Sequence, residues 1–320
     1  MSTPTSLDLP DGVRRTTIRT ARGAFAALEA VPGSGVCERE AALLVPGYTG
    51  SKEDFLAILD LLADGSRQVT AIDMRGQFET PGADDPGSYS AAALGADIVA
   101  VMRATGARHL VGHSYGGLIG REAVLAGVRA DAGITSFTLM SSGPAALTGP
   151  RAEELRAMLT ALGAGGGPGD GGTPDTAALR AGIADVWRAH LEPQAVAAGV
   201  PASIVAFLGR RMRGNDPAGL VLMARHLLTA PDRTAELARL EQIPVLVIYG
   251  EDDNAWAPAA QENMARRLGA RRLCIPAAVH SPAVEAPATT ASALTRFWDA
   301  AEAALTAPAR PATVTRTAAW

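Results

Sequence analysis

Lysine is almost absent from this chain: Lys52 is the only one, so nearly all of the 29 basic residues are arginine, set against 33 acidic residues. With a formal net charge of -4 neither sign dominates, and no electrostatic case exists for binding nucleic acid or an anionic membrane. A small molecule is the expected partner, and oligomeric state is left open. Cysteine is nearly as scarce. Cys37 and Cys274 stand far apart without CxxC spacing, which excludes a disulfide framework and a cysteine metal centre. Both are expected to be buried thiols. Long apolar runs are missing too: the start, MSTPTSLDLPDGVRRTTI, lacks a signal-peptide core, and nowhere do about 18 apolar residues run together. A cytoplasmic protein is expected.

What is present is enough apolar residue, 48% of 320, for one sizeable core with room for an added subdomain. Thr16 to Thr20 and Phe25 to Ala30 are β-rich and separated by a turn, as in a hairpin. Near-continuous apolar runs follow at 41–45, 69–73, 109–112, 134–140, 245–249 and 272–275, the pattern of strands buried on both faces. Between them lie amphipathic stretches. Leu94, Ile98, Val101 and Met102 form one helical stripe, with Gly106 where a C-terminal cap belongs. The fold class expected is α/β: a mostly parallel, doubly wound sheet with ligands beyond the carboxyl ends of its strands.

From about Ala145 to Arg239 the alternation stops and helical patterns follow one another. The chain therefore divides into a core of residues 1–144 and 241–306 and an inserted helical cap at 145–240. Within the cap, the glycine-rich stretch 163–174 is expected to be a flexible loop, and 307–320 a flexible tail. In the cap, Ile204, Phe207, Leu208 and Met212 make an apolar stripe, while Arg210, Arg211 and Arg213 are expected to form a solvated face.

Gly112-His113-Ser114-Tyr115-Gly116 matches GxSxG, a pattern that about one chain in six of this composition would contain by chance. Its setting makes it specific. It follows an apolar strand run and precedes a helical one, the strand-turn-helix context of a nucleophile elbow, where glycines clear space for a helix folding back over its strand. A serine hydroxyl needs a base, and the base needs a group to hold its tautomer. Of five histidines, His280 alone follows a strand directly, on the loop AVHSP at the carboxyl edge. Glu251, Asp252 and Asp253 end another strand on that edge. Asp253 is preferred as the acid, because the 27 residues from it to His280 leave room for a helical crossover through Gln261 to Leu268. The backbone N–H of Tyr115, after the serine, and of Tyr48, in Val45-Pro46-Gly47-Tyr48-Thr49-Gly50-Ser51, are the expected oxyanion donors. Trp256 and Met140, with the rings of Tyr48 and Tyr115, are candidates to line the substrate pocket. Asp73 and Arg75, in DMRG, are expected to brace neighbouring turns.

With GHSYGG, PGYTGS, DMRG, GEDD and AVHSP in that order, the chain resembles the α/β-hydrolase superfamily from roughly Thr16 to Leu305, outside the cap. The resemblance implies an eight-stranded sheet with an antiparallel second strand, a helical cap, and no metal or organic cofactor. Many relatives carry His-Gly where Pro46-Gly47 stands here. Serine at the nucleophile position argues against the epoxide-opening and dehalogenating branches, which use aspartate. The implied activity is cleavage of a carboxylic ester, thioester or lactone. Carbon-carbon bond cleavage or a lyase reaction with the same triad, and a non-catalytic ligand sensor, are the alternatives.

Overall fold

The computed structural model describes residues 2–129, 132–165 and 175–306. Most of the glycine-rich stretch and the whole of 307–320 lie outside the described residues. Eight strands form one sheet: β1 (Val13–Thr20), β2 (Gly23–Ala30), β3 (Ala41–Val45), β4 (Val69–Ile72), β5 (Ala107–His113), β6 (Ser136–Met140), β7 (Val245–Gly250) and β8 (Arg271–Ile275). Their order is β1-β2-β4-β3-β5-β6-β7-β8. β2 runs antiparallel to both neighbours, and every pairing from β4 to β8 is parallel. Strands β3 to β7 are buried almost throughout, as two-sided coverage by helices requires.

The helices are α1 (Leu56–Ala63), α2 (Ala91–Thr105), α3 (Tyr115–Arg129), α4 (Gly149–Ala161), α5 (Thr176–Val186), α6 (Glu192–Ala197), α7 (Ala202–Gly214), α8 (Pro217–Thr229), α9 (Thr234–Ala238), α10 (Pro258–Leu268), α11 (Pro282–Glu285) and α12 (Pro287–Thr306). Local chemistry sets their ends. The Ser90 side chain accepts from the N–H of Ala93 to start α2, and Gly106, at φ 69°, closes it in the left-handed conformation that glycine adopts without cost. α1 and α12 cover one face of the sheet, with Leu28, Leu44, Val111 and Ile248 in the layer beneath them and Trp298 of α12 packed into it. α2 and α3 cover the other, whose apolar layer continues without a break into the helices between β6 and β7.

Those helices, α4 to α9, reach the carboxyl-edge loops of the sheet through specific bonds. Tyr48 donates its hydroxyl to the Leu220 carbonyl in α8 at 3.0 Å, and Arg211 of α7 binds Asp54 at 2.6 Å and the Ser2 carbonyl at 2.7 Å. Arg211 is fully buried, which corrects the expected solvated face. It falls seven residues after Ile204 and four after Phe207, on the stripe turned inward, while Arg210 and Arg213 on either side are exposed. Asp54 and the Phe207 ring supply the charge and the π-face that let a guanidinium stay there. The two cysteines also depart from expectation, since both are exposed. Cys37 lies in the β2–β3 connection and Cys274 on the edge strand β8, most of whose side chains are exposed.

Candidate active site

Ser114 sits between β5 and α3 with φ at 54°, a region that costs a residue with a Cβ about 1–2 kcal/mol. Its surroundings enforce that conformation. Its N–H donates to the Met140 carbonyl at 2.8 Å, and a Cβ on Gly112 would lie 2.3 Å from the Gly116 carbonyl oxygen. On Gly116 a Cβ would come within 2.4 Å of the Pro46 carbonyl oxygen, so only glycine lets α3 pass over β5 and against the β3 loop.

His280, between β8 and α11, places Nε2 at 3.0 Å from Ser114 Oγ and Nδ1 at 2.9 Å from Asp253 Oδ1. Burial alone would raise the Asp253 carboxyl. The hydrogen bond and charge of His280, the Ala255 N–H and the Gln261 amide outweigh it and hold the group below its ordinary range. An ionised carboxylate can only accept, so Nδ1 of His280 carries the proton and Nε2 is left to accept from the serine hydroxyl. Glu251 and Asp252 are exposed and turn away from this array, Glu251 accepting instead from the Ala277 N–H.

The structure thus brings Ser114, His280 and Asp253 into one hydrogen-bonded series. It adds two residues with no recognisable spacing in the sequence. Gln261 of α10 donates to both Asp253 Oδ2 and the Trp256 carbonyl at 2.9 Å, bracing the acid from the helix that follows it. His113, beside the serine, lies 2.7 Å through Nε2 from the His280 carbonyl, where it can only donate. Burial, then the neighbouring charge of His280, lowers His113 to about 3, so it is a neutral prop for the histidine loop.

Tyr115 opens α3, so its N–H is among those that a helix leaves without an internal partner. Gly47 passes so close to the serine that a Cβ there would sit 3.0 Å from Ser114 Cβ and 3.3 Å from Oγ, which brings the next peptide, with the Tyr48 N–H, alongside. Among the described residues no hydrogen bond engages either N–H. The Tyr115 ring meets His226 edge-on, its hydroxyl 3.3 Å from Nδ1. Trp256 is 6.4 Å from the His280 ring between centroids, and its indole N–H donates to the Ala145 carbonyl at the start of the helical segment. Met140 is elsewhere. Strand alternation turns its side chain into the layer under α1 and α12, with Val111 and Ile248, so it packs the core and does not line a pocket.

The DMRG loop is a brace. Asp73 accepts from the Lys52 N–H at 2.8 Å and its ammonium at 2.9 Å, and Arg75 binds Asp97 twice. Among the described residues a metal could be considered only at Glu40, His109 and Glu302, whose ligand atoms lie within 4.8 Å of one another at the opposite edge of the sheet. Arg67, Arg39 and Arg108 already engage those carboxylates, and their positive charge opposes a cation there.

Residues 42–293 match the sequence model of the alpha/beta hydrolase family. With this sheet, elbow and hydrogen-bonded array, the chain belongs to that family. Among solved structures it is similar to a candidate lipase from Acinetobacter baumannii AYE, with a TM-score of 0.68 and 18% identity, covering 92% of this chain and 93% of that one. A thermophilic esterase from Thermogutta terrifontis superposes with a TM-score of 0.65 at 21% identity over 90% of this chain and 99% of the other. A candidate carbamate hydrolase, RutD, from Variovorax paradoxus (strain S110) is 38% identical over 93 residues, 28% of this chain. That match spans about a third, 35%, of the relative's length. No described helix is long and apolar enough to cross a membrane.

Proposed function

We propose that this protein is a serine hydrolase that cleaves a small carboxylic ester, thioester or lactone through an acyl-enzyme. The observation that carries the reading is the unbroken series Ser114, His280, Asp253 at a strained elbow flanked by two unengaged N–H groups. Ser114 Oγ attacks the substrate carbonyl while its proton passes to His280 Nε2, and Asp253 stabilises the imidazolium that forms. Negative charge developing on the carbonyl oxygen meets the N–H groups of Tyr48 and Tyr115. His280 then gives the proton to the departing alkoxide or thiolate, leaving an acyl-serine. A water molecule, deprotonated by the same histidine, attacks the acyl group, and collapse of the second tetrahedral intermediate frees the acid and the serine.

The helices between β6 and β7 act as a cap, and Trp256, beside His280 and tied to Ala145, is placed to contact the substrate. The two rings beside His280, those of Trp256 and of His113, which burial keeps neutral, carry no charge, which favours a neutral acyl group. The test is a panel of short aryl esters, alkyl thioesters, lactones and carbamates assayed with wild type and Ser114→Ala, alongside labelling by a fluorophosphonate. Turnover and labelling should both fall to background in the variant, and persistence of either would overturn the assignment.

A further inference from the structure

A backbone N–H serves as an oxyanion donor only if its peptide plane is fixed before the charge appears, because reorganisation at that moment would cost what the donor contributes. At Tyr115 the helix fixes the plane. Tyr48 has no such support: it lies in a turn, closed by the Gly50 N–H donating to the Gly47 carbonyl at 3.0 Å. That turn is under tension. Its third residue, Thr49, has φ at 57°, an outlying conformation for a β-branched side chain.

The carbonyl that closes the turn has a second donor. Gln77 Nε2 lies 2.9 Å from the Gly47 oxygen, reaching it from the loop after β4. Because a peptide group is planar and trans, the Gly47 C=O and the Tyr48 N–H are opposite ends of one rigid unit. Anchoring the oxygen therefore aims the N–H. Gln77 is itself 1% exposed and held at three points: its side-chain oxygen accepts from the Met74 N–H at 3.2 Å, its own N–H donates to the Met74 carbonyl, and its carbonyl accepts from the Thr80 N–H. The Met74 contact also settles which end of the amide faces Gly47, since the oxygen is the only acceptor it offers.

We propose that Gln77 is a positioning residue for the hydrolytic reaction, fixing the plane of the Gly47–Tyr48 peptide so that the Tyr48 N–H meets the oxyanion. This rests on the reading of Tyr48 as a donor given above. A carboxyl group at position 77 has the same shape as the amide. Ionised, it can accept from Met74 but cannot donate to Gly47, and it faces that carbonyl with a negative charge. Protonated, it can do both.

The experiment compares wild type, Gln77→Met and Gln77→Glu on an aryl ester, with active sites titrated by a fluorophosphonate so that kcat refers to folded, competent enzyme. At pH 8 both variants should lose about 10- to 100-fold in kcat, part of what losing a whole oxyanion donor costs, with KM within about threefold. Affinity for an aryl boronic acid, which mimics the tetrahedral intermediate, should weaken by a similar factor. The ratio of Gln77→Glu to wild-type kcat should climb as pH falls from 8 to 5, whereas the ratio for Gln77→Met stays flat. Wild-type kcat per titrated site in Gln77→Glu at pH 8, or a Gln77→Glu ratio independent of pH, overturns the proposal. Ser114→Ala in the same series separates the two readings, because activity surviving there removes the serine mechanism itself.

Discussion

The sheet carries a serine, a histidine and a carboxylate in hydrogen-bonded series at both of its edges. At the carboxyl edge the series is Ser114, His280 and Asp253; toward the amino edge Ser136 Oγ lies 2.8 Å from His109 Nδ1, and His109 Nε2 lies 3.0 Å from Glu302 Oε1. The distances are nearly interchangeable, and the environments are not. Ser136 and His109 are completely buried partners in the β5–β6 register, and Arg67 shares the Glu302 oxygen. Ser114 is 9% exposed, His280 keeps part of its ring at the surface, and both lie on loops. Backbone strain follows the same division. Of the six described non-glycine residues with positive φ, Thr49, Phe78, Ser114, Ser141 and Ala277 lie on loops leaving the carboxyl ends of strands, and Ser66 alone does not. Three side chains at the right distances make a brace when regular strand backbone holds them and, on the mechanism proposed above, a reactive array when a strained turn sets the serine beside free N–H groups.

The comparison breaks most sharply at the acids and serines. Asp253→Asn should lower kcat by about three to four orders of magnitude, because an amide at that point can stabilise the wrong tautomer of His280 and offers no charge to the imidazolium. Ser136→Ala should leave kcat within about twofold while lowering stability by about 1–3 kcal/mol, since Nδ1 of the buried His109 loses its partner. Urea unfolding monitored by far-UV circular dichroism, together with an aryl-ester assay, checks both. A catalytic loss in Ser136→Ala comparable to that in Asp253→Asn would mean that the amino-edge series has a share in the chemistry.

A smaller effect of the amino-edge series appears in acid. Burial, then the charges of Arg67 and Arg108, lowers His109 from 6.5 to about 4 despite the opposing pull of Glu302. A histidine with a depressed folded pKa contributes stability that is present above 6.5 and is lost as pH falls toward 4, because the unfolded chain takes up a proton that the folded chain refuses. Between pH 7 and pH 5 that loss is about 2 kcal/mol from this residue. His113 and His226, lowered to about 3 and about 4, act in the same direction. His109→Asn should therefore lose less stability over this interval than wild type by about that amount. Equal losses in the two proteins would show that His109 takes up its proton in the folded state.

The carboxyl-edge series was legible because each member follows a strand in a short stretch whose residue types have few other uses: glycines around Ser114, acids after β7, AVHSP after β8. Chain order and the 27-residue interval from Asp253 to His280 did the rest. The amino-edge series was not legible. His109 meets Ser136 through strand register and Glu302 through the docking of α12, and neither leaves a spacing in the sequence. Gln77, Gln261 and His113 escaped for the same reason, since each acts through side-chain bonds to a neighbouring loop that leave no spacing in the sequence. Met140 and Arg211 were misplaced by a different route: both need the phase of their element, and one residue of strand alternation or 100° of helix turn reverses inside and outside.

The mildest test concerns the thiols, whose exposure contradicts their apolar reputation. Cys37 precedes β3 on the amino side, while Cys274 lies one residue before the end of β8, just ahead of the loop that carries His280. Both should react with Ellman's reagent in the folded protein, giving two equivalents per chain without denaturant. The slight desolvation that remains on β8 and then the charge of Glu251 push the Cys274 thiol up, so it should react more slowly than free cysteine at the same pH. Activity should survive within about twofold, because β8 presents Cys274 to solvent while His280 is held from the other side by Asp253 and His113. Loss of activity in step with the second equivalent would show instead that the edge strand and the histidine loop move together, and that the rigidity ascribed to the carboxyl edge ends at β7.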